Sequence, residues 1–205
     1  DACRHWQTYL ARYRRQAHEW HIYIVPGTIV QLHYTDTLRQ RLLNVVYFID
    51  DRGKVAVRFV KKNLSGPTER AHLASSAEDP HPVFDTSQGK FGLLVCWDLA
   101  FSEASRELIT RGAKIVIVPT FWTLSDYSAE GLAVSPSAEA LFLDSILTAR
   151  CFENTCAPVA VVFANAGGPI GKGYAGLSQI CIPYAGAIAP LGSHAEGMAL
   201  ADVDM

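Results

Sequence analysis

The first part of the chain changes its hydrophobic period twice. Apolar side chains first recur at three- and four-residue steps, which predicts an amphipathic helix with arginines on its solvent face. These apolar positions are Trp6, Tyr9, Leu10, Tyr13, Ala17 and Trp20. The β-branched segment IYIVPGTIVQL then predicts a strand region that bends at Pro26-Gly27. LLNVVYFID and KVAVRFVKK flank a predicted turn at 51–53 and predict an antiparallel hairpin, and we expect the polar stretch 65–82 to be a loop.

The second part alternates short apolar runs with helical segments. GKFGLLVCWDL predicts a buried strand, SEASRELITRG a helix that ends at Gly112, and KIVIVPT a second buried strand. Ser135-Pro136 predicts the start of a helix that runs to about Asn154. Four further strands are predicted at VAVVFANAGG, AGLSQICIP, GAIAPLG and GMALADVDM. The pattern predicts an α/β fold with a mixed sheet. Because we find no linker or repeat, we expect one domain over residues 1–205.

Composition narrows the class of protein. Of the 205 residues, 49% are hydrophobic and 19% are charged, and the formal net charge is -2. These values are typical of a soluble globular protein and argue against intrinsic disorder. The chain has no long basic run and no apolar run long enough to cross a bilayer. We therefore expect a small-molecule partner, with no nucleic acid and no membrane.

The spacing of cysteines and histidines does not indicate a metal site. The five cysteines include no CxxC pair, which fits neither a disulfide framework nor a zinc knuckle. The seven histidines are scattered without HExxH spacing. We expect no metal, no cofactor, and a reducing, cytoplasmic location.

Cys96 is the candidate nucleophile. It ends the apolar run GLLVC, just before the helix predicted over 102–111. A thiol at the carboxyl end of a strand can be exposed beside the N–H groups of the corner and the helix start, which favour a thiolate and bind an oxyanion. The alternative is a buried cysteine that only fills the strand.

Lys61 is the second candidate. By strand alternation it shares the apolar face of Val55, Val57 and Phe59. Because burying an ammonium is costly unless it is paired, Lys61 would need a carboxylate partner there. The alternative is that the strand has already ended and that Lys61 and Lys62 are both solvated.

Three spaced segments match one family together. They are FVKKNLSGPTER, GLLVCWDLAFSEASRELITRGAKIVIVPTFW and TARCFENTCAPVAVVFANAGG. They carry Lys-x-x-Leu at 61–64, the Cys-Trp-Asp/Phe-x-Glu pattern at 96–103, Pro-x-x-Trp at 119–122, Ala-Arg-x-x-Glu-Asn at 149–154 and Ala-Asn at 164–165. GYAGLSQICIPYAGAIAPLG matches as well. Nearly the whole chain resembles the carbon–nitrogen hydrolase (nitrilase) superfamily.

The resemblance implies an αββα sandwich of two mixed sheets between outer helices, paired into a four-layer homodimer. It also implies a Glu-Lys-Cys triad, in which Cys96 attacks the carbon of an amide or nitrile and Lys61 stabilises the tetrahedral intermediate. The backbone N–H of Trp97 would complete the oxyanion site. Glu69 would orient Lys61 or the attacking water, with an exposed loop carboxylate beside Arg70 as the alternative.

Other residues of the matching segments have implied roles. Trp97, Phe121 and Trp122 would line the substrate pocket or else fill the core, since aromatic side chains do both. Asp98 and Glu103 would hold the corner and the helix start electrostatically rather than react. Structural or dimer contacts are implied for Arg150, Glu153 and Asn154.

The family's general base is a glutamate on an early strand, upstream of the helix that begins near Trp6 here. Glu19 lies where that helix approaches the next strand, and we do not accept it as a substitute. We expect the natural protein to extend past Asp1 and Met205, so that the printed chain lacks the N-terminal strand or strands and a C-terminal tail. By itself the printed chain is then expected to be inactive.

The leading function is an amidase-like, cysteine-dependent hydrolase of linear, non-peptide C–N bonds that works through a thioester. Cys-Trp-Asp followed by Phe-Ser-Glu lies nearer the amidase-like branches than the Cys-Trp-Glu that is usual in nitrilases. A nitrilase that converts a nitrile to a carboxylic acid is the first alternative. A catalytically silent scaffold of the same fold is the second, and the upstream glutamate would separate it from the enzymes.

Overall fold

The chain divides into two compact units, Asp1–Pro82 and Val83–Met205. The structure is a computed structural model, and it describes residues 2–34, 40–153, 159–169 and 171–204. Among these residues no helix is long and apolar enough to cross a membrane. The single domain over residues 1–205 stays a prediction.

The first unit contains a three-stranded antiparallel sheet in the order β1-β2-β3. After a 3₁₀ turn at Ala2–Arg4, its elements are α1 (Trp6–Trp20), β1 (Thr28–Tyr34), β2 (Gln40–Ile49), β3 (Val55–Val60) and α2 (Gly66–His72). The predicted helix and hairpin are confirmed. β1 begins only after the Pro26-Gly27 bend, because a proline cannot donate to the ladder and Gly27 has a positive φ of 86°.

The stripe predicted for α1 is only partly buried. Leu10 and Ala17 pack against Tyr47 and its neighbours in the core of the first unit. Tyr9 and Trp20 are 43% and 68% exposed, although they follow the same spacing. The buried face of α1 is therefore narrower than the hydrophobic period suggests.

A short helix occupies part of the segment that was predicted to be a loop. α2 follows the N-cap residue Ser65 and has a proline in its first turn. The prediction was wrong because α2 has only seven residues and none of them is buried, so it has no apolar stripe. Its start is stabilised instead by Glu69, whose Oε2 accepts the Ser65 N–H at 2.6 Å.

The second unit contains a six-stranded mixed sheet in the order β4-β5-β6-β7-β8-β9. Its elements are β4 (Val83–Thr86), β5 (Gly89–Leu93), a 3₁₀ turn (Cys96–Ala100), α3 (Ser102–Thr110), β6 (Ile115–Thr120), α4 (Ala129–Val134), α5 (Ala138–Phe152), β7 (Ala160–Asn165), β8 (Gln179–Ile182) and β9 (Gly186–Ala187). β5, β6 and β7 are parallel, and the other pairs are antiparallel. The predicted mixed sheet and its strand–helix–strand unit are confirmed.

Close packing of α3 on β5 positions the start of the corner that contains Cys96. A β-carbon added at Gly92 would lie 2.9 Å from Leu108 Cδ1, so any larger residue there would force the Leu108 side chain to shift. Leu108 is fully buried. The helix can therefore lie directly against the strand that leads to Cys96.

One helix prediction for the second unit is confirmed except for its start, and one strand prediction was wrong. The helix predicted to run to about Asn154 is α5, but its N-cap is Ser137, whereas Ser135 is the C-cap of α4, a short helix that was not predicted. The segment GMALADVDM forms no strand over 197–204, where Met198 and Leu200 are 77% and 76% exposed. Its alternation alone does not supply the hydrogen-bonded neighbour that a strand needs. Asn154, the predicted end of the long helix, lies outside the described residues.

Candidate active site

The three parallel strands of the second unit have their carboxyl ends at the same end of its sheet. Cys96 lies just beyond β5, Phe121 and Trp122 follow β6, and β7 ends at Asn165. In open α/β sheets, ligands bind outside the carboxyl ends of the parallel strands. The topology thus brings the candidate nucleophile and two candidate pocket residues to the end of the sheet where substrates bind.

Cys96 starts the 3₁₀ turn in a strained backbone conformation. Its φ is 51°, in the left-handed region that non-glycine residues seldom adopt. Backbone strain of this kind is concentrated at functional sites. The residue is half-buried, and its Sγ lies 4.0 Å from the carbonyl oxygen of Phe121. β5 ends before Cys96 at Leu93, so the residue lies outside the strand, although its side chain packs against the core of the second unit. The role of Cys96 as nucleophile stays a prediction.

Two buried charged side chains hold the turn that contains Cys96. The Asp98 carboxylate is fully buried and accepts the Val95 N–H at 2.9 Å. Arg150, on α5, donates from Nε to the Leu99 carbonyl and from Nη2 to the Ala100 carbonyl, both at 3.1 Å. These contacts give Asp98 and Arg150 the structural roles that the sequence predicted.

Removing Arg150 is expected to destabilise the fold strongly. Arg150 is only 8% exposed, and Arg150→Met would leave the two carbonyl groups of the turn without their donor. We expect a loss of about 3 kcal/mol in the free energy of unfolding, measured by urea titration. Arg111→Met is the matched control: its pair with Glu107 spans 3.8 Å with the arginine 42% exposed, so the change should stay within about 0.5 kcal/mol. Equal losses in the two variants would show that Arg150 does not hold the turn.

The other described cysteines of the second unit are poor nucleophiles. Cys151 and Cys181 are fully buried. Burial raises the pKa of the Cys151 thiol to about 12 and that of Cys181 to about 11. Both are therefore protonated at neutral pH, which leaves them unreactive. Cys156 lies outside the described residues.

The three predicted pocket aromatics have different exposures. Trp97 is half-buried, and its ring lies 5.4 Å from that of Trp122 and 6.3 Å from that of Phe101. Phe121 is 63% exposed and makes an edge contact with Tyr174. Trp122 is 2% exposed and belongs to the core, so it follows the alternative of a core-filling residue. Only Trp97 and Phe121 keep surface that a substrate could contact.

Lys61 and Glu69 form a buried ion pair within the first unit. Lys61 is 1% exposed, and its Nζ lies 2.8 Å from Oε1 and 2.6 Å from Oε2 of Glu69. β3 does end at Val60, but the Lys61 N–H still donates to the Asn44 carbonyl at 2.8 Å, which continues the pairing with β2. The alternative of a solvated Lys61 is therefore wrong, and the expected carboxylate partner is present.

Glu69 is the more accessible member of this pair. Its side chain is 27% exposed, and α2 presents it to Lys61 while it also accepts the Ser65 N–H. The alternative of a loop carboxylate beside Arg70 is wrong, because Glu69 lies on a helix and its oxygens face an ammonium. Lys61 is thus shielded from water, whereas water can reach the carboxylate of its partner Glu69.

Asn165 is a residue of the site whose role the sequence reasoning missed. Its Oδ1 accepts the Trp122 N–H at 2.8 Å, and its Nδ2 donates to the carbonyl groups of Trp122 and Gly176 at 3.2 and 2.8 Å. It therefore fixes the backbone of the segment that follows β6. The sequence signal was the Ala-Asn pair at 164–165 in the family pattern, to which no role was assigned.

Glu139 was also missed. It is 2% exposed and accepts a hydrogen bond at Oε2 from Trp122 Nε1 at 2.8 Å. Burial raises the pKa of Glu139 from 4.5 to about 7, and the charge of Asp126 adds to the rise, while the Trp122 bond opposes it. A signal was available, because Glu139 begins the buried stripe of α5 that continues with Leu143 and Ile146.

The pKa of Glu139 predicts a pH-dependent stability. Between about pH 4.5 and 7 the folded chain keeps a proton on Glu139 that the unfolded chain has lost, so stability falls as the pH rises through this window. The loss is at most about 3 kcal/mol. Glu139→Gln should remove this component, which urea titrations at pH 4.5 and 8 will measure against wild type. The same pH dependence in both proteins would contradict the assignment.

The chain is similar to known proteins along most of its length. The family profile described as "Carbon-nitrogen hydrolase" matches residues 5–205. The chain is 32% identical over 167 residues to a Schizosaccharomyces pombe protein named "Probable nitrilase", with coverage of 79% of this chain and 54% of that protein. It is 26% identical over 193 residues to 2-oxoglutaramate amidase of Bacillus subtilis, with coverage of 94% and 66%. The chain therefore spans between about half and two thirds of the length of these relatives.

A solved structure shares the fold. An amidase from Nesterenkonia sp. AN1 superposes with a TM-score of 0.73 at 25% identity, over 97% of this chain and 69% of that one. That structure is of a glutamate-to-glutamine mutant, with acrylamide added at the active-site cysteine. The same amidase is described as a member of the nitrilase superfamily. The predicted nitrilase-type mixed α/β fold and the family resemblance are confirmed.

Proposed function

Because the chain belongs to the carbon–nitrogen hydrolase family, we propose that the protein is a cysteine-dependent, amidase-like hydrolase of linear, non-peptide C–N bonds. One observation supports this most strongly. Cys96 is a half-buried thiol in a left-handed backbone conformation, at the carboxyl ends of three parallel strands. Cys151 and Cys181 are buried and protonated, so among the described cysteines of the second unit Cys96 is the one best suited to attack.

The proposed reaction has two stages. The thiolate of Cys96 attacks the carbonyl carbon of the amide and forms a tetrahedral oxyanion, while a general base takes the thiol proton. Collapse of this intermediate breaks the C–N bond, and ammonia leaves with that proton. Water then attacks the thioester and releases the carboxylic acid and the thiol. The resemblance assigns the general base to a glutamate that precedes the α1 segment in the family.

Lys61 and Glu69 are assigned their roles from the resemblance and from their pairing. Lys61 would stabilise the oxyanion with its ammonium, and Glu69 would fix that ammonium in place. The short contacts of 2.6 and 2.8 Å and the burial of Lys61 support this, because a preorganised charge needs no rearrangement during reaction. The 27% exposure of the Glu69 side chain leaves it accessible to the attacking water.

The turn after Cys96 supplies the remaining proposed contacts. The backbone N–H of Trp97 would donate to the same oxyanion, as the family pattern implies. Trp97 and Phe121 would contact the substrate, because both keep accessible surface near Cys96. Trp122 would support the Trp97 ring from the core without contacting the substrate. We further propose that the chain pairs into a homodimer, as the family resemblance implies.

Amide and nitrile turnover separate the proposed function from its alternatives. The full-length protein should release ammonia from butyramide, which binds a cysteine-to-alanine mutant of the structural relative. In the presence of hydroxylamine it should also form the hydroxamate, because hydroxylamine intercepts a thioester. Release of ammonia from butyronitrile alone would favour the nitrilase. A correctly folded full-length protein that hydrolyses neither compound would favour the silent scaffold.

A further inference from the structure

The buried side chain of Glu139 is hydrogen-bonded to Trp122, which follows Phe121, a residue in contact with Cys96. Glu139 is in the first turn of α5, is 2% exposed, and belongs to the stripe of α5 that faces the core. Its Oε2 accepts a hydrogen bond from Trp122 Nε1 at 2.8 Å. A carboxylate is costly to bury in such a place, so its retention in the core calls for a role.

Trp122 connects Glu139 to Cys96 by two routes. Along the chain, Trp122 follows Phe121, whose carbonyl oxygen lies 4.0 Å from Cys96 Sγ. Through space, its indole ring lies 5.4 Å from the ring of Trp97, the residue after Cys96. A movement of the Trp122 ring would therefore change the surroundings of the thiol through the Trp97 ring.

The backbone and the ring of Trp122 are held by different groups. Asn165 holds both the N–H and the carbonyl group of the Trp122 backbone. Phe142 packs against the ring at 5.9 Å, but it can hold the ring only by van der Waals contact. Glu139 supplies the directional contact that sets the orientation of the indole.

We propose that Glu139 is a positioning residue for Cys96, acting through the ring of Trp122 to fix the Trp97 ring beside the thiol. This role rests on the proposed function, in which Cys96 is the nucleophile. Glu139 itself touches neither substrate nor thiol in this scheme. It acts on the reaction only through the order of the Cys96 turn.

The charge of Glu139 controls the strength of this contact. The ionised carboxylate accepts a charge-assisted hydrogen bond from the indole, which is stronger than the bond to a neutral carboxylic acid. The charged group that acts on Glu139 is Asp126, from the segment between β6 and α4, which also accepts the Thr123 N–H at 3.0 Å. With the pKa of Glu139 near 7, the turn is best ordered above neutral pH and loosens below it.

The pH profile of Cys96 alkylation tests the proposal. Rates with iodoacetamide are measured from pH 5.5 to 8.5, with the adduct located by mass spectrometry. The ratio of the wild-type rate to the Glu139→Gln rate should be near one at pH 5.5 and rise to about threefold to tenfold at pH 8.5. Glu130→Gln is the matched control, because Glu130 is also a first-turn glutamate but is exposed. Its ratio should stay at one throughout.

Tryptophan fluorescence supplies a second, independent readout. Wild type should show an inflection near pH 7 that both Glu139→Gln and Trp122→Phe lack, with circular dichroism confirming that each variant is folded. If Glu139→Gln does not fold, Trp122→Phe replaces it in the alkylation series and must show the same rising ratio. A ratio that does not change with pH would overturn the proposal, as would an inflection that survives in Trp122→Phe.

Alkylation does not require turnover, so the two proposals can fail separately. Normal pH-dependent alkylation of Cys96, combined with no amide hydrolysis by the full-length protein, would refute the proposed function and leave the positioning role intact. Amide hydrolysis together with an alkylation ratio that does not change with pH would support the proposed function and refute the positioning role of Glu139.

Discussion

Cys96→Ala is expected to reduce amide hydrolysis by the full-length protein by at least about 10⁴-fold. The reason is that the thioester cannot form without the sulfur, so both stages of the proposed reaction are lost. The fold should survive, since Cys96 is half-buried and the Asp98 and Arg150 contacts that hold its turn do not involve the thiol. Ammonia release from butyramide measures the effect, with thermal unfolding as the check on folding.

Cys3→Ala is the control for this result. Cys3 is a half-buried cysteine of the first unit, in the 3₁₀ turn that precedes α1. Its replacement should leave the rate unchanged within about twofold, because it takes no part in the proposed reaction. If Cys96→Ala kept activity while Cys3→Ala lost it, the nucleophile would have been assigned to the wrong unit.

Lys61→Ala is expected to reduce turnover by about 10²–10³-fold, comparable to the loss of one preorganised donor to an oxyanion. Lys62→Ala should be nearly neutral, since Lys62 is the adjacent residue and the pair with Glu69 is made by Lys61. The opposite ranking would show that the two lysines have been placed one residue out of register. Both variants are assayed with butyramide in the full-length protein.

Folding must be checked for Lys61→Ala, because a buried ion pair is broken. Glu69 loses its ammonium partner, but its side chain is 27% exposed and water can solvate it. Glu69→Gln is the companion variant, and it keeps the shape of the side chain while it removes its charge. It should lower turnover less than Lys61→Ala does, because the ammonium remains to meet the oxyanion.

The regular elements of the fold were predictable wherever one period ran for several residues. The stripe of α1, the two arms of the β2–β3 hairpin, and the apolar runs of β5, β6 and β7 each have a clear period or a buried run bounded by glycine or a turn. The short helices α2 and α4 were missed, because six or seven residues do not complete a stripe. The last predicted strand failed because alternation does not specify a hydrogen-bonding neighbour.

The candidate site was predictable where a local pattern carried the chemistry. Cys96 stood at the end of an apolar run, and the expected burial of Lys61 called for a carboxylate. Trp122 and Glu139 could not be paired from sequence, because their hydrogen bond joins residues on the ends of different elements. Such a contact depends on how α5 packs against the sheet. The hydrophobic pattern within either segment does not predict that packing.

Mass spectrometry of an acyl adduct tests the central claim, that Cys96 is the nucleophile, most directly. The full-length protein is incubated with butyramide, quenched with acid and digested with trypsin, which separates Cys96 on peptide 91–106 from the cysteines on peptide 151–172 and from Cys181 on the peptide that begins at Gly173. A butyryl mass increase on peptide 91–106 alone is predicted. Neutral hydroxylamine should remove it, as expected for a thioester, and Cys96→Ala should lack it. A butyryl adduct on peptide 151–172, or on the peptide that begins at Gly173, that persists in Cys96→Ala would contradict the account.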